Sequence, residues 1–254
     1  MARTVQKHTR VYVDGYDLSG YSRSVGPLEL THDEADMTTF TDTVKGYLRN
    51  HAQANVGTLN AVLDDTATSG PHAVLQASNG SKRTVLVALG MGAAPAAGDP
   101  TFAGQFTQKR YQPEEAGGAV VLSAEFSGWA SDATSLLYGQ PWGALVHASG
   151  AETGANSGTG FDNPTGGATA KGGYMVYQVL AGNGTATISI DDSANNSAFT
   201  ALSGATTGSI NCAVVQHGIV VLGVTATVRR YLRWQIALGT ATSVTFVLSF
   251  HRAY

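Results

Sequence analysis

The chain has 254 residues, 43% of them apolar, only 13% charged and 31 glycine, with a formal net charge of −3. That balance excludes a disordered chain, which lacks the apolar share to build a core, and a protein that grips nucleic acid through a basic face. The single cysteine, Cys212, excludes an internal disulfide and a cysteine zinc site. No apolar run reaches membrane-spanning length, and residues 1–10 lack the apolar stretch of a signal peptide. The expectation is a protein made and kept in a cytoplasm until it assembles.

Residues 9–13 alternate as a short strand and run into Asp14-Gly15, a tight-turn pair. A second strand is predicted over 24–31. An acidic piece follows, His32-Asp33-Glu34-Ala35-Asp36, then Met37-Thr38-Thr39-Phe40, and 29–40 reads as a loop. Residues 41–49 fit no single element, and 56–63 read as a strand. The best helix spans 69–80, with Ser69 or Gly70 as cap, Pro71 in the first position and Asn79-Gly80 as stop. It is too short to stand alone and must lie on a sheet.

Strands follow at 82–89, 101–108 and 119–129, the last with Val120, Leu122, Ala124 and Phe126 on one face. Residues 112–118 read as a polar turn between them. The stretch 139–173 is rich in Gly, Ala, Thr, Ser and Asn and shows little periodicity, which predicts an extended connector. Strands resume at 174–180 and 185–191, with a turn at 192–196 and short strands at 199–202, 208–215 and 218–222.

The clearest alternation comes last. Over 224–236, Val224, Ala226, Val228, Leu232, Trp234 and Ile236 share one face, broken only by Arg230. Over 243–251, Val244, Phe246, Leu248 and Phe250 alternate with Ser243, Thr245, Ser249 and His251. The pair reads as a hairpin with a turn at 238–242, one face buried and one wet. The fold class is therefore all-β, with two β-sandwich or barrel-like domains: 1–138, carrying one short packed helix, and 174–254, joined by 139–173.

Several clusters bear on chemistry. His32, Asp33, Glu34 and Asp36 are metal-ligating types, but they crowd one short stretch with no distant partner, so a solvated or subunit-contacting loop is expected. Asp191-Asp192 with Asn195-Asn196 offers oxygens for calcium, yet lacks an EF-hand pattern and suits a turn. Gly158-Thr159-Gly160 starts a glycine fingerprint without the flanking strand and helix a phosphate loop needs. No nucleophile elbow or acid–base pair stands out, so no enzyme, metal or cofactor is expected. Cys212 reads as a buried, inert thiol. Trp129, Trp142 and Trp234 are candidates for sugar stacking, with Trp234 assigned to the core by its alternation. Arg229, Arg230 and Arg233 form the densest basic cluster, and charge pairs are expected there rather than nucleic-acid contacts.

Two passages resemble known families. Val11-Tyr12-Val13-Asp14-Gly15-Tyr16-Asp17-Leu18-Ser19-Gly20-Tyr21, followed by Asp36-Met37-Thr38-Thr39-Phe40, resembles the opening of major tail tube proteins of long-tailed bacteriophages. Thr185–Ser193, Phe199-Thr200-Ala201-Leu202 and Thr227-Val228-Arg229-Arg230-Tyr231-Leu232-Arg233 resemble a β-sandwich module appended to phage tail proteins. They are also similar to discoidin-type sugar-binding sandwiches.

The tail tube resemblance implies a virion protein assembled in the host cytoplasm. Its subunits would close strands into a barrel, six to a ring or alternatively three. Rings would stack into a tube that meets other tail proteins at its ends and passes DNA without specific binding. It also implies subunit contacts through Glu29, Asp33, Glu34, Asp36, Thr38, Thr39 and Phe40. Closure removes exposed strand edges, and a wall poor in lysine lets DNA slide. The rival readings are a capsid decoration or head-fibre protein, and a glycan-binding sandwich adhesin.

Overall fold

The computed structural model describes residues 6–76, 81–130, 140–163 and 167–253. A 3-10 turn, Gln6–His8, leads into β1 (Thr9–Val13) and β2 (Tyr16–Asp17). Then come β3 (Ser22–Gly26), β4 (Glu29–Asp36), β5 (Tyr47–Val62), α1 (Pro71–Leu75), β6 (Lys82–Leu89), β7 (Pro100–Ala116) and β8 (Ala119–Trp129). The later strands are β9 (Trp142–Glu152), β10 (Asn156–Ser157), β11 (Phe161–Asp162), β12 (Gly173–Gly182), β13 (Thr185–Ser193), β14 (Thr200–Asn211), β15 (Gln216–Val221), β16 (Tyr231–Leu238) and β17 (Val244–Arg252). The chain is all-β, as its alternation predicts, and α1 is the one α-helix among the described residues. Positions 77–80 of the expected helix lie outside them.

The β1–β2 turn shows how sequence sets geometry. Asp14 and Gly15 both take positive φ, 50° and 85°, which is the requirement of a two-residue hairpin turn with the right twist. Glycine is needed there for a second reason: a Cβ on residue 15 would stand 2.2 Å from Val215 Cγ1.

Three apolar layers hold the fold. In the first, Val11, Val13, Leu59, Val85, Val87, Phe102, Phe106, Leu122 and Phe126 meet inside the β1–β8 half, and α1 seals it with Val74 and Leu75. In the second, Met175, Val179, Phe246, Leu248 and Phe250 of one sheet face Ile188, Ile190, Leu232, Trp234 and Ile236 of the other. The third joins the halves: Tyr12, Leu86, Ala88 and Ala103 pack on Leu145, Tyr174, Val176 and Val247. Strands β6 and β17 are thus buried on both faces. At roughly 1.5–3 kcal/mol for each large side chain, this third layer fixes the halves against each other.

The sheets also join directly. β7 pairs with β9 through Pro100↔Ala144 and Phe102↔Trp142, then runs on beside β6 and β8. One sheet therefore follows the order β15-β12-β17-β9-β7-β6-β1-β2, with β8, β5, β3 and β4 branching from β7. The second sheet is β10-β16-β13-β14, with β11 also on β16.

Five sequence expectations are corrected. The stretch 139–173 is not an unstructured connector: it holds β9, β10 and β11, and β9 lies between β17 and β7. Residues Ala144–His147 are buried on both faces, so small and apolar residues follow one another without alternation. The final two strands are not a hairpin. β16 and β17 belong to opposite sheets, and their apolar faces meet across the second core. The second face of β17 is not wet either, because Ser249 and His251 are fully buried against the other half. Finally, 29–36 is not a loop but strand β4, and the turn predicted at 112–118 shrinks to Gly117-Gly118 because β7 runs to Ala116.

Several buried polar groups tie the shared layer together. Gln178 accepts from the Gly15 amide at 2.7 Å and donates to the Tyr12 and Thr84 carbonyls at 3.3 Å each. The Asp14 carboxylate accepts from the Thr84 amide at 2.8 Å and from Arg83 at 2.6 Å. The Tyr174 hydroxyl donates to the Ala103 carbonyl at 3.1 Å.

Candidate functional site

The site with the most unspent bonding capacity is the arm formed by β4 and the first half of β5. Its register is Glu29↔Asn55 through Asp36↔Tyr47. β8 joins the far side of β5 only from Asn55 onward. Residues 47–54 therefore have β4 as their one strand partner among the described residues, and β4 has only β5. A two-stranded ribbon is marginal in water, and free edges invite pairing with another chain.

The tip is nonetheless ordered by its own side chains. The Asp36 carboxylate accepts from the Thr38 amide at 2.9 Å and from the Thr38 hydroxyl. That hydroxyl in turn accepts from the Gly46 amide at 3.1 Å, while the Met37 amide donates to the Gly46 carbonyl at 2.8 Å. The Asp42 carboxylate accepts from the Thr39 amide at 2.7 Å and the Thr39 hydroxyl at 2.9 Å. These bonds favour the ionised acids and lower both pKa values. Turn chemistry of this type fixes a loop without help from a core.

On that frame the tip shows apolar surface. Met37, Phe40, Val44, Tyr47 and Leu48 are each more than half exposed. Isolated exposed apolar residues are ordinary, but five on one ribbon form an unusual concentration of apolar surface in solvent. The structure places Glu29, Asp33, Glu34 and Asp36 on β4 and Thr38, Thr39 and Phe40 in the turn, so all seven residues singled out in the sequence lie on this arm. Sequence reasoning missed Val44, Tyr47 and Leu48.

The other candidates resolve into structure. Among the described residues no group of three or more His, Cys, Asp and Glu is placed to hold a metal. Asp191 and Asp192 are buried on β13 and pair with Arg233 at 2.8 Å and Arg229 at 3.7 Å. Arg230 does not point inward: its side chain is about half exposed and forks onto Asp162 at 2.7 Å. That bond holds the Asp162 carboxyl below its usual range. Trp234 is core, as its alternation predicts, and Trp142 meets Phe102 edge to face at 5.0 Å. Trp129 packs on the first core, so the three indoles form no shared platform. The Gly158 amide donates to the Trp234 carbonyl at 3.0 Å, a structural role. Burial pushes the Cys212 thiol pKa up, as expected of an inert thiol.

No family model matches the chain, and no curated protein does. Among solved structures, the crystal structure of SPP1 Dit (gp 19.1), described as a paradigm of the hub adsorption apparatus in phages infecting Gram-positive hosts, is similar to it at 11% identity. The TM-score is 0.32, with 96% of this chain and 98% of that chain covered. At that score the likeness decides neither fold nor function for this chain.

Proposed function

We propose that this chain is a structural subunit of a phage tail, the tail tube protein, which assembles into stacked rings around a channel for DNA. The observation that carries this reading is the arm: an ordered ribbon with both edges open and an apolar tip in solvent. A second chain laid along those edges completes the hydrogen bonding and covers the tip. The passages resembling tail tube proteins support the reading from another side, since one forms β1–β2 and the other the arm tip. The protein performs no catalysis and binds no cofactor; its work is geometric. Six copies form a ring, with three as the alternative, and DNA passes without specific contacts.

Negative-stain imaging and sedimentation of the purified chain test this. Rings or tubes are expected, and the mass of one ring decides between six and three copies. Phe40→Ser removes the most exposed anchor of the tip and is expected to weaken assembly at least tenfold while leaving the thermal melt unchanged. A chain that stays monomeric at every concentration overturns the reading.

A further inference from the structure

A groove of about 510 Å³ opens beside β1 and β3, remote from the arm tip. Lys7, Arg10 and Arg23 line it, with the half-buried Val25 as apolar wall and Ser22 among them, and no carboxylate does. Arg10 is held in place by donating to the Lys7 and Thr9 carbonyls at 3.0 Å each. None of the three cations forms an ion pair with a carboxylate among the described residues. Three unpaired cations around an apolar wall ask for a partner that is acidic at its rim and apolar at its centre.

The arm has that composition. By sequence, residues 29–49 hold five acids, Glu29, Asp33, Glu34, Asp36 and Asp42, and two Lys or Arg, and Met37, Phe40 and Val44 are exposed. The arm of the same chain cannot deliver its tip to this groove. The tip begins at Tyr47, while the groove residue Val25 pairs with Leu59. Twelve residues of strand separate the two positions, about 40 Å at roughly 3.3 Å per residue.

We propose that the groove receives the arm tip of a second copy of this chain, with Phe40 seated against Val25. The arm carboxylates then face Lys7, Arg10 and Arg23. This deepens, and rests on, the self-assembly reading above. An aromatic anchor inside a charged rim is the usual anatomy of a specific contact. Because arm and groove are different patches of one chain, the contact is head-to-tail. It propagates from copy to copy instead of closing on a dimer, and it links one ring to the next.

The test replaces Phe40 with p-benzoylphenylalanine and mixes isotopically labelled with unlabelled full-length chain before irradiation. Crosslinks between copies are expected on the peptides carrying residues 7–11 and 22–25. In parallel, Arg23→Glu is expected to weaken association about tenfold at low salt. Association is expected to recover when those copies are mixed with copies carrying Asp33→Lys and Glu34→Lys. Assembly that proceeds with crosslinks elsewhere, or that is unchanged by Arg23→Glu, overturns the groove assignment and leaves the tail reading standing. Absence of any assembly overturns both. An unchanged circular dichroism melt separates a lost contact from a lost fold.

Discussion

Gln178 is the sharpest place to perturb the layer between the halves. It is fully buried and makes three bonds, accepting from Gly15 and donating to Tyr12 and Thr84. Gln178→Met keeps the volume and removes all three. The Gly15 amide is then buried with no acceptor, which costs about 1–3 kcal/mol. The Thr84 carbonyl keeps the Asp14 amide at 2.9 Å, so its loss is smaller, about 0.5–1 kcal/mol. The Tyr12 carbonyl adds a similar amount. The total is about 2–5 kcal/mol, and Gln178→Ala adds a cavity on top of it. With a urea slope of about 3 kcal/mol/M for a chain of this size, the midpoint falls by roughly 1 M. Urea unfolding followed by tryptophan fluorescence and by circular dichroism measures it, in the Phe40→Ser background so that assembly does not enter. A midpoint shift below about 0.3 M refutes the assignment of Gln178 as the polar tie of the shared layer.

Two further perturbations test the C-terminal half. His251 is fully buried, stacked on Tyr174 at 4.7 Å with Nε2 2.9 Å from the Ser249 hydroxyl, and burial pushes its pKa down to about 3. The unfolded chain takes that proton near pH 6.5, so between about 6.5 and 3 the unfolded state binds more protons. Stability therefore falls as pH drops through this window, by up to about 1.4 kcal/mol per unit. His251→Gln reduces the slope measured by urea titration between pH 7 and 4. It does not abolish it, because His147 is also lowered by burial. An unchanged slope contradicts the reasoning. At Gly158, an added Cβ would stand 2.1 Å from Trp234 Nε1, whereas at Gly154 it meets nothing within 4 Å. Gly158→Ala costs about 1–3 kcal/mol, several degrees in a calorimetric scan, and Gly154→Ala leaves the melt unmoved.

Alternation revealed faces reliably and partners poorly. Leu232, Trp234 and Ile236 were legible as core, as were Phe246, Leu248 and Phe250, because each set repeats every second residue. That period says nothing about which strand lies alongside, so two runs facing each other across a core looked like one hairpin. Ser249 and His251 looked wet because a polar residue with a buried partner has the same letter as one in water. β9 was illegible for the opposite reason, since both of its faces are buried and its period is lost. The arm was half legible: its acids and Phe40 stood out, but a ribbon with no buried face leaves no periodic trace of being a strand. The Gln178 bonds join residues far apart in the chain and could not be read at all.

The position of β17 has a consequence for the order of folding. It lies between β12 and β9, and both take it as a hydrogen-bonded neighbour. Glu152 pairs with Val244, so that central slot is filled only once segments far apart in sequence have met. Until then the inner faces of β9, β12 and β16 stay uncovered. Closure of this half is slow, governed by distant pairings, and a chain cut between β16 and β17 would leave a sheet with a gap through its middle.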